Sequence, residues 1–314
     1  MNPAIEHCLR ASTSVPACDS VAQWWPGFQP LLTTWPASIG QAIVGGFCAD
    51  RAGWAFAAGY QASLRRILPD LGREVVAAFC VTEEGGNRPR DILTRIEPAA
   101  GGRLRVTGSK RWTTLGPDST ELLVTGAMSG AGAAPDPGRP GLRVVRIPTS
   151  SPGVTVVPMP PTRFVPEVPH ARLVLDGVEI DASALLPGDG YSGYVKPFRT
   201  VEDVHVNAAL LGYLLREART RDWPREWSEC AIAALDGLAA IAPEDPASPG
   251  THLTLTGLLH WTHRLYADSA ALWDAAGDDP AAQRWKRDTG LFSVAGTART
   301  LRATRAWERF GAPG

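Results

Sequence analysis

Two short stretches decide how this chain reads: FCVTEEGGN at residues 79–87 and GSKRWTT at residues 108–114. Each has the composition of a strand end, where alternate side chains and backbone amides are presented on one face. In the second stretch Trp112 and Thr114 stand two apart, so on a strand both point to the same side. An aromatic plane beside a hydroxyl suits a flat ring that needs one stacking surface and one hydrogen bond. The plainer reading of the same pair is half-buried packing.

The flanking sequence supports strands around both stretches. Val75–Thr82, Leu104–Thr107, Glu121–Thr125, Leu142–Ile147, Val154–Val157 and Arg172–Leu175 are short and rich in β-formers, with Gly, Pro and Asp between them. No helical pattern separates these runs, which predicts an antiparallel β-domain over residues 75–195 and not a βαβ sheet. The segment SGAGAAPDPGRPG at 129–141 is a surface loop by composition. Residues 1–74 lack strand alternation. Their clearest element is a helix from Trp54 to Leu68, with Phe56, Tyr60, Leu64, Ile67 and Leu68 at helical spacing and Pro69 as its stop. From Val201 the period becomes helical again. Helices are expected near 201–220, 224–242, 252–275 and 280–309, an antiparallel four-helix bundle within residues 196–314. The expected fold class is therefore α+β: a short N-terminal helical region, a central antiparallel β-domain and a C-terminal four-helix bundle.

Composition narrows the function. The 314 residues hold 31 Lys and Arg against 32 Asp and Glu, a formal charge of −1, and 44% are hydrophobic. A near-neutral chain with scattered basic residues gives no footprint for nucleic acid or an anionic membrane. No apolar run reaches the ~18–20 residues of a membrane span. The opening residues MNPAIEHCLRASTS lack the apolar core of a secretory signal, so the chain reads as soluble and cytoplasmic. Cys8, Cys18, Cys48, Cys80 and Cys230 are odd in number and none is paired as CxxC, which argues against a disulfide framework or a structural zinc.

Two other patterns receive plain readings. Gly188–Gly193 spells GxGxxG, but Pro187 precedes it and Lys196-Pro197 follow it. It lacks the strand before and the helix within that a dinucleotide loop needs, and reads as a connection into the helical part. His252, His260 and His263 fall in one expected helix, with no Cys or carboxylate at ligand spacing beside them. Packing or surface roles fit them better than a metal, and no metal site is expected.

Taken in order, CVTEE and GSKRWTT resemble the two β-domain signatures of the acyl-CoA dehydrogenase family, a VTEP segment and a G-x-K-x-W-I-T segment, with a spacing of about thirty residues. Pro152-Gly-Val154 resembles that family's PGV strand entry. RLVLDGVEIDASALL at 172–186 resembles its L-x-F-D-x-V-x-V-P-x-x-x-L-L stretch, and Gly188–Tyr194 its glycine-rich link into the bundle. The likeness covers roughly residues 60–310. It implies FAD held against Cys80, Val81, Thr82, Trp112 and Thr114, with Thr114 as a hydrogen-bond donor near the flavin N5 atom. It also implies α,β-dehydrogenation of an acyl thioester, an electron acceptor such as an electron-transfer flavoprotein, and a homodimer or homotetramer. The chain departs from the family in three places. Its N-terminal helical region is short. EGGNRPR at 84–90 lacks the serine of the TEPxxGSD segment. TRDWPREW at 220–227 replaces the R-x-x-F-G run that in the family reaches a neighbouring subunit's FAD.

The resemblance also frames the search for a base. Many family members carry it in a late Y-E-G-T segment. Here the matching text is Val294-Ala-Gly-Thr297, and Ala295 cannot take a proton. Other members place the base on the first bundle helix, ten residues before a glycine. Glu202 stands ten residues before Gly212, with Asp203 where an Arg is usual, and is the expected catalytic residue. The plainer reading makes Glu202 and Asp203 helix-start acids following Thr200. Two further functions remain open: a non-catalytic flavin- or partner-binding member, and a flavin-dependent oxygenase of the same fold.

Overall fold

The computed structural model describes residues 1–129, 141–294 and 296–311. The chain forms two compact units: residues 1–73, 162–167 and 198–314 in one, and 74–161 with 168–197 in the other. Ala295 and most of the loop read at 129–141 lie outside the described residues.

The first unit is helical. Its N-terminal elements are α1 (Pro3–Arg10), α2 (Val21–Phe28), α3 (Leu31–Thr34), α4 (Ser38–Phe47) and α5 (Ala52–Ile67). Its C-terminal elements are α6 (Lys196–Thr220), α7 (Arg225–Ile241), α8 (Pro249–Asp274), α9 (Pro280–Asp288) and α10 (Gly296–Arg309). Helix α4 is buried from Ile39 to Phe47, and α5 from Ala52 to Arg65 with the exception of Phe56. Helices apolar all round belong in an interior, and α6, buried along most of its length, packs against both. Glycines set how close that packing is. A Cβ on Gly46 would stand 1.9 Å from the Ala209 carbonyl oxygen, and one on Gly212 would stand 2.4 Å from that of Ile43. A Cβ on Gly59 would lie 2.6 Å from the Val206 Cα. These helices therefore meet backbone to backbone.

The single helix expected at 280–309 is two. A 3₁₀ turn over Thr289–Ser293 divides α9 from α10. Just before it, Asp288 is fully buried and accepts hydrogen bonds from the Val165 N–H and the Arg287 guanidinium. Arg287 also reaches Glu167 at 3.1 Å. These contacts explain why residues 162–167 belong to the helical unit.

The second unit is a seven-stranded sheet: β1 (Ala77–Cys80), β2 (Arg95–Pro98), β3 (Arg103–Thr114), β4 (Glu121–Met128), β5 (Leu142–Pro148), β6 (Val154–Pro158) and β7 (His170–Asp181). The order is β1-β4-β2-β3-β7-β6, with β5 also paired to β4. The hairpin-like pairs β2–β3, β4–β5 and β6–β7 and the long β3–β7 ladder are antiparallel. Strands β1 and β2 each run parallel to β4. Inward positions of all seven strands form one apolar core that includes Cys80, Ile96, Val106, Leu122, Val145 and Leu173, with Val154 and Val156 of β6 packed against it.

Candidate functional site

In the sheet unit the two signature stretches meet. The Arg111 N–H donates to the Thr82 carbonyl oxygen at 2.7 Å, joining the end of β1 to β3 beside Trp112. Below this junction lies a buried ion pair. Lys110 Nζ stands 2.6 Å from Glu83 Oε1, and the Glu83 carboxylate also accepts from the Leu93 and Thr94 N–H groups and from the Thr94 hydroxyl. Burial works against the charge on Glu83, but Lys110 and these hydrogen bonds outweigh it and hold the carboxyl below its ordinary range. Glu83 is thus an anchor that ties the turn after β1 to β3. Glu84 pairs with Arg111 at the surface.

Above the ion pair, β3 breaks its register against β7 between Lys110 and Thr113. Trp112 sits in that irregularity with φ of 57°, a left-handed conformation that is unusual for a bulky side chain. Strain of this kind costs about 1–3 kcal/mol and persists only where the surroundings enforce it. The result is an indole that is 48% exposed on a strand whose neighbours alternate in and out. Thr113 is buried; Thr114 is half-buried. His170, opposite Thr114 in the ladder, stands against both signature residues. Its ring meets Trp112 edge-on at 6.0 Å, and its Nε2 lies 3.4 Å from the Thr114 hydroxyl. Because the Val168 carbonyl at 3.1 Å must accept from Nδ1, Nε2 is the bare nitrogen of the neutral ring. Burial lowers the His170 pKa and favours that neutral form.

Of the five residues expected to touch a cofactor, Trp112 and Thr114 share this His170-backed face. Val81 and Thr82 directly follow β1 beside it, both half-buried. Cys80 points inward; its thiol is fully buried and pushed up to about 12 by desolvation, so only its backbone is available to a ligand. Sequence reading missed His170, whose role depends on a strand pairing 56 residues away.

In the helical unit, Glu202 and Asp203 are not at a helix start. Helix α6 begins at Lys196 and is preceded without a break by a π-helical turn over Tyr191–Val195. The two acids have opposite environments. Asp203 is buried and doubly clamped from α10, by Arg299 at 2.7 Å and Arg302 at 2.8 Å. Glu202, half-buried one residue earlier, makes no hydrogen bond to any described residue. Its pKa is pushed up to about 8, first by burial and then by the Asp203 charge, with Arg299 and Arg199 opposing. The arrangement separates a fixed carboxylate from one that can exchange a proton near neutrality.

Three further histidines, His252, His263 and His205, have structural partners. His252 donates to the Pro246 carbonyl, and His263 packs on Tyr266 and Phe292. His260 is exposed. His205, fully buried in α6, donates from Nδ1 to the Val201 carbonyl and accepts the Ser38 hydroxyl at Nε2. The Thr220–Trp227 segment turns inward: Trp223 packs edge-on against Trp227 and Trp273, while Arg221 lies over Trp273 and pairs with Glu217 and Asp279.

No family model matches the chain. No curated protein matches it either. Solved structures do. One is butyryl-CoA dehydrogenase from Megasphaera elsdenii, with TM-score 0.66 at 15% identity, covering 86% of this chain and 81% of that one. The chain has the acyl-CoA dehydrogenase-like fold. Two further structures of this fold are similar over more of the chain. FkbI, whose description concerns biosynthesis of a methoxymalonyl extender unit, gives TM-score 0.65 at 20% identity over 93% of this chain and 96% of that one. TdsC from a Paenibacillus species, in complex with FMN and indole, gives TM-score 0.69 at 16% identity over 92% and 88%. Among the described residues no helix is long and apolar enough to cross a membrane.

Proposed function

We propose that the protein is a flavin-dependent oxidoreductase that removes a proton and a hydride from adjacent carbons of an acyl thioester. The observation that carries this reading is the contrast between Glu202, which has no hydrogen-bond partner among the described residues and takes its proton near pH 8, and Asp203, which two arginines hold. A base that abstracts a carbon-bound proton works best with a pKa near the working pH. Glu202 is the proton acceptor in this reading. Trp112 supplies an exposed aromatic plane on a strained strand, and Thr114 a hydroxyl beside it. Residues of this kind fit an isoalloxazine ring, with the strand end at Val81–Thr82 alongside. FAD, when bound, supplies the hydride acceptor; an electron-transfer flavoprotein is the proposed oxidant of the reduced protein, and a homodimer or homotetramer the proposed assembly.

The inward-turned Thr220–Trp227 segment favours a second reading for the cofactor alone. Its tryptophans and Arg221 are committed to this chain's own helices and do not reach outward for an adenosine. FMN, as in the TdsC complex, then becomes the alternative to FAD.

The test is anaerobic reduction of the purified flavoprotein by acyl-CoA thioesters. Bleaching of the flavin absorbance is expected. Glu202→Gln should slow it by about 10²–10⁴-fold, the worth of a general base, and leave flavin binding intact. The cofactor released on denaturation distinguishes FAD from FMN. Equal rates for wild type and Glu202→Gln would remove Glu202 from the mechanism. Protein that takes up neither flavin would leave a non-catalytic scaffold.

A further inference from the structure

A cleft of about 630 Å³ opens within the helical unit, well away in sequence from Glu202 and the signature stretches. It lies among α1, α3, α4, the end of α5 and the end of α7. Its size is within the range of small-molecule sites, which run to roughly 300–1,000 Å³. Three features of its wall point to one kind of occupant.

The first is charge. Arg65, Arg66 and Arg73 line the cleft, and no Asp or Glu is among its lining residues. Arg65 and Arg66 are fixed in place: Arg65 by the carbonyls of Gln61 and Gly72, Arg66 by those of Ala242 and Pro243. Neutral carbonyls orient the Arg66 guanidinium without cancelling its charge. Arg73 stands exposed at the edge.

The second is the start of α4. Ala37, Ser38 and Ile39 line the cleft, the N-cap is an alanine and no side chain caps this ten-residue helix. The N–H groups of Ser38 and Ile39 have no acceptor among the described residues. Uncapped N–H groups with the positive end of the helix dipole behind them attract anions.

The third is independent of charge. Gln41, only 5% exposed, lines the same cleft. Its Nε2 donates to the Trp35 carbonyl at 2.9 Å, which fixes the amide orientation and leaves Oε1 buried with no hydrogen-bond donor among the described residues. A buried acceptor left in this way is destabilising, and a hydroxyl on a ligand would satisfy it.

We propose that this cleft is a binding site for a small phosphomonoester that carries a hydroxyl group. The phosphate sits at the α4 N-terminus within reach of the arginines, and the hydroxyl donates to Gln41 Oε1. The Arg66 and Arg73 guanidinium groups and two backbone donors suit the several oxygens and double charge of a phosphate better than a single carboxylate. The proposal uses none of the residues of the redox reading and stands whether or not that reading holds.

Calorimetric titration of the full chain with inorganic phosphate, glycerol 3-phosphate and acetate tests this. Glycerol 3-phosphate should bind more tightly than phosphate, and acetate weakest. Arg73→Glu, an exposed change that leaves folding intact, should weaken both phosphates by about tenfold or more, the equivalent of one charge-assisted hydrogen bond. Gln41→Leu should remove the preference of glycerol 3-phosphate over phosphate while leaving phosphate binding in place. Circular dichroism melts confirm that each variant is folded. The proposal is overturned if wild-type protein binds neither phosphate at millimolar concentration. It is overturned equally if Arg73→Glu binds both as wild type does.

Discussion

Glu202→Gln keeps the shape of the side chain and removes its ionisation, so it isolates what the helical unit does to this carboxyl. In the unfolded chain the proton is released near 4.5; in the folded chain it is held up to about 8. Between those values the folded state carries more protons than the unfolded state, so stability falls as pH rises. The slope is about 1.4 kcal/mol per pH unit while the window lasts, which sets a ceiling of about 4–5 kcal/mol. Local relaxation and water entry around a half-buried group reduce this, and about 2 kcal/mol is a realistic fraction. Glutamine has no such dependence. The stability advantage of Glu202→Gln over wild type should therefore be smallest below pH 4.5, grow through the window and level off above about pH 8. Urea unfolding followed by circular dichroism, repeated across that range, measures the difference directly. A constant offset from the lost contacts is of no consequence; only the pH-dependent part counts. If the two proteins lose stability in parallel as pH rises, Glu202 ionises like an exposed carboxyl. Glu202 then brings no raised proton affinity to the role of base.

Other perturbations address the rest of the architecture. Lys110→Met leaves the Glu83 carboxylate buried without its cation and should cost about 3–5 kcal/mol, recovered in large part by adding Glu83→Gln; chemical denaturation of the three variants gives the cycle. Trp112→Ala should weaken flavin retention about two- to tenfold, from a stacking contribution of ~0.5–1.5 kcal/mol, in a fluorescence titration. An unchanged dissociation constant would separate Trp112 from the cofactor. Gly46→Ala places a methyl group where the Ala209 carbonyl stands and should cost about 3 kcal/mol or more in thermal unfolding, whereas the same change at the open Gly257 should show only the small effect of helix propensity.

Local pattern carried the parts of this fold that local pattern can carry. The strands around residues 79–87 and 108–114, the helix ending before Pro69 and the helical period after residue 200 follow from alternation, β-branching and chain-breaking residues. What was hidden depends on distant partners. His170 gains its place beside Trp112 and Thr114 only through the β3–β7 ladder, and the register shift that turns Trp112 outward has no mark in the text GSKRWTT. Helix α6 starts before its helical period shows in the sequence, because YSGYV at 191–195 has the composition of a loop, yet the chain winds it into a π-helical turn. With the start misplaced, Glu202 and Asp203 read alike as helix-start acids. Arg299 and Arg302, nearly a hundred residues on, are what set them apart. Similarly, nothing in the run from 280 to 309 signalled that Asp288 would be drawn inward by the Val165 amide and end its helix there.

The glycine contacts of α6 bear on how such a chain can change. Where two helices touch through side chains, one can slide or roll slightly and repack. Where Gly46 meets Ala209 and Gly212 meets Ile43 through the backbone itself, α6 is locked in phase with α4. The azimuth of every residue on α6 is then set by its count from Gly212. Inserting one residue between Glu202 and Gly212 would swing the carboxyl about 100° around the helix and move it about 1.5 Å along it. Substitutions in this segment are graded in their effects, but changes of length are all or nothing. The ten-residue interval is thus maintained by the geometry of helix contact, independently of any chemistry at its far end.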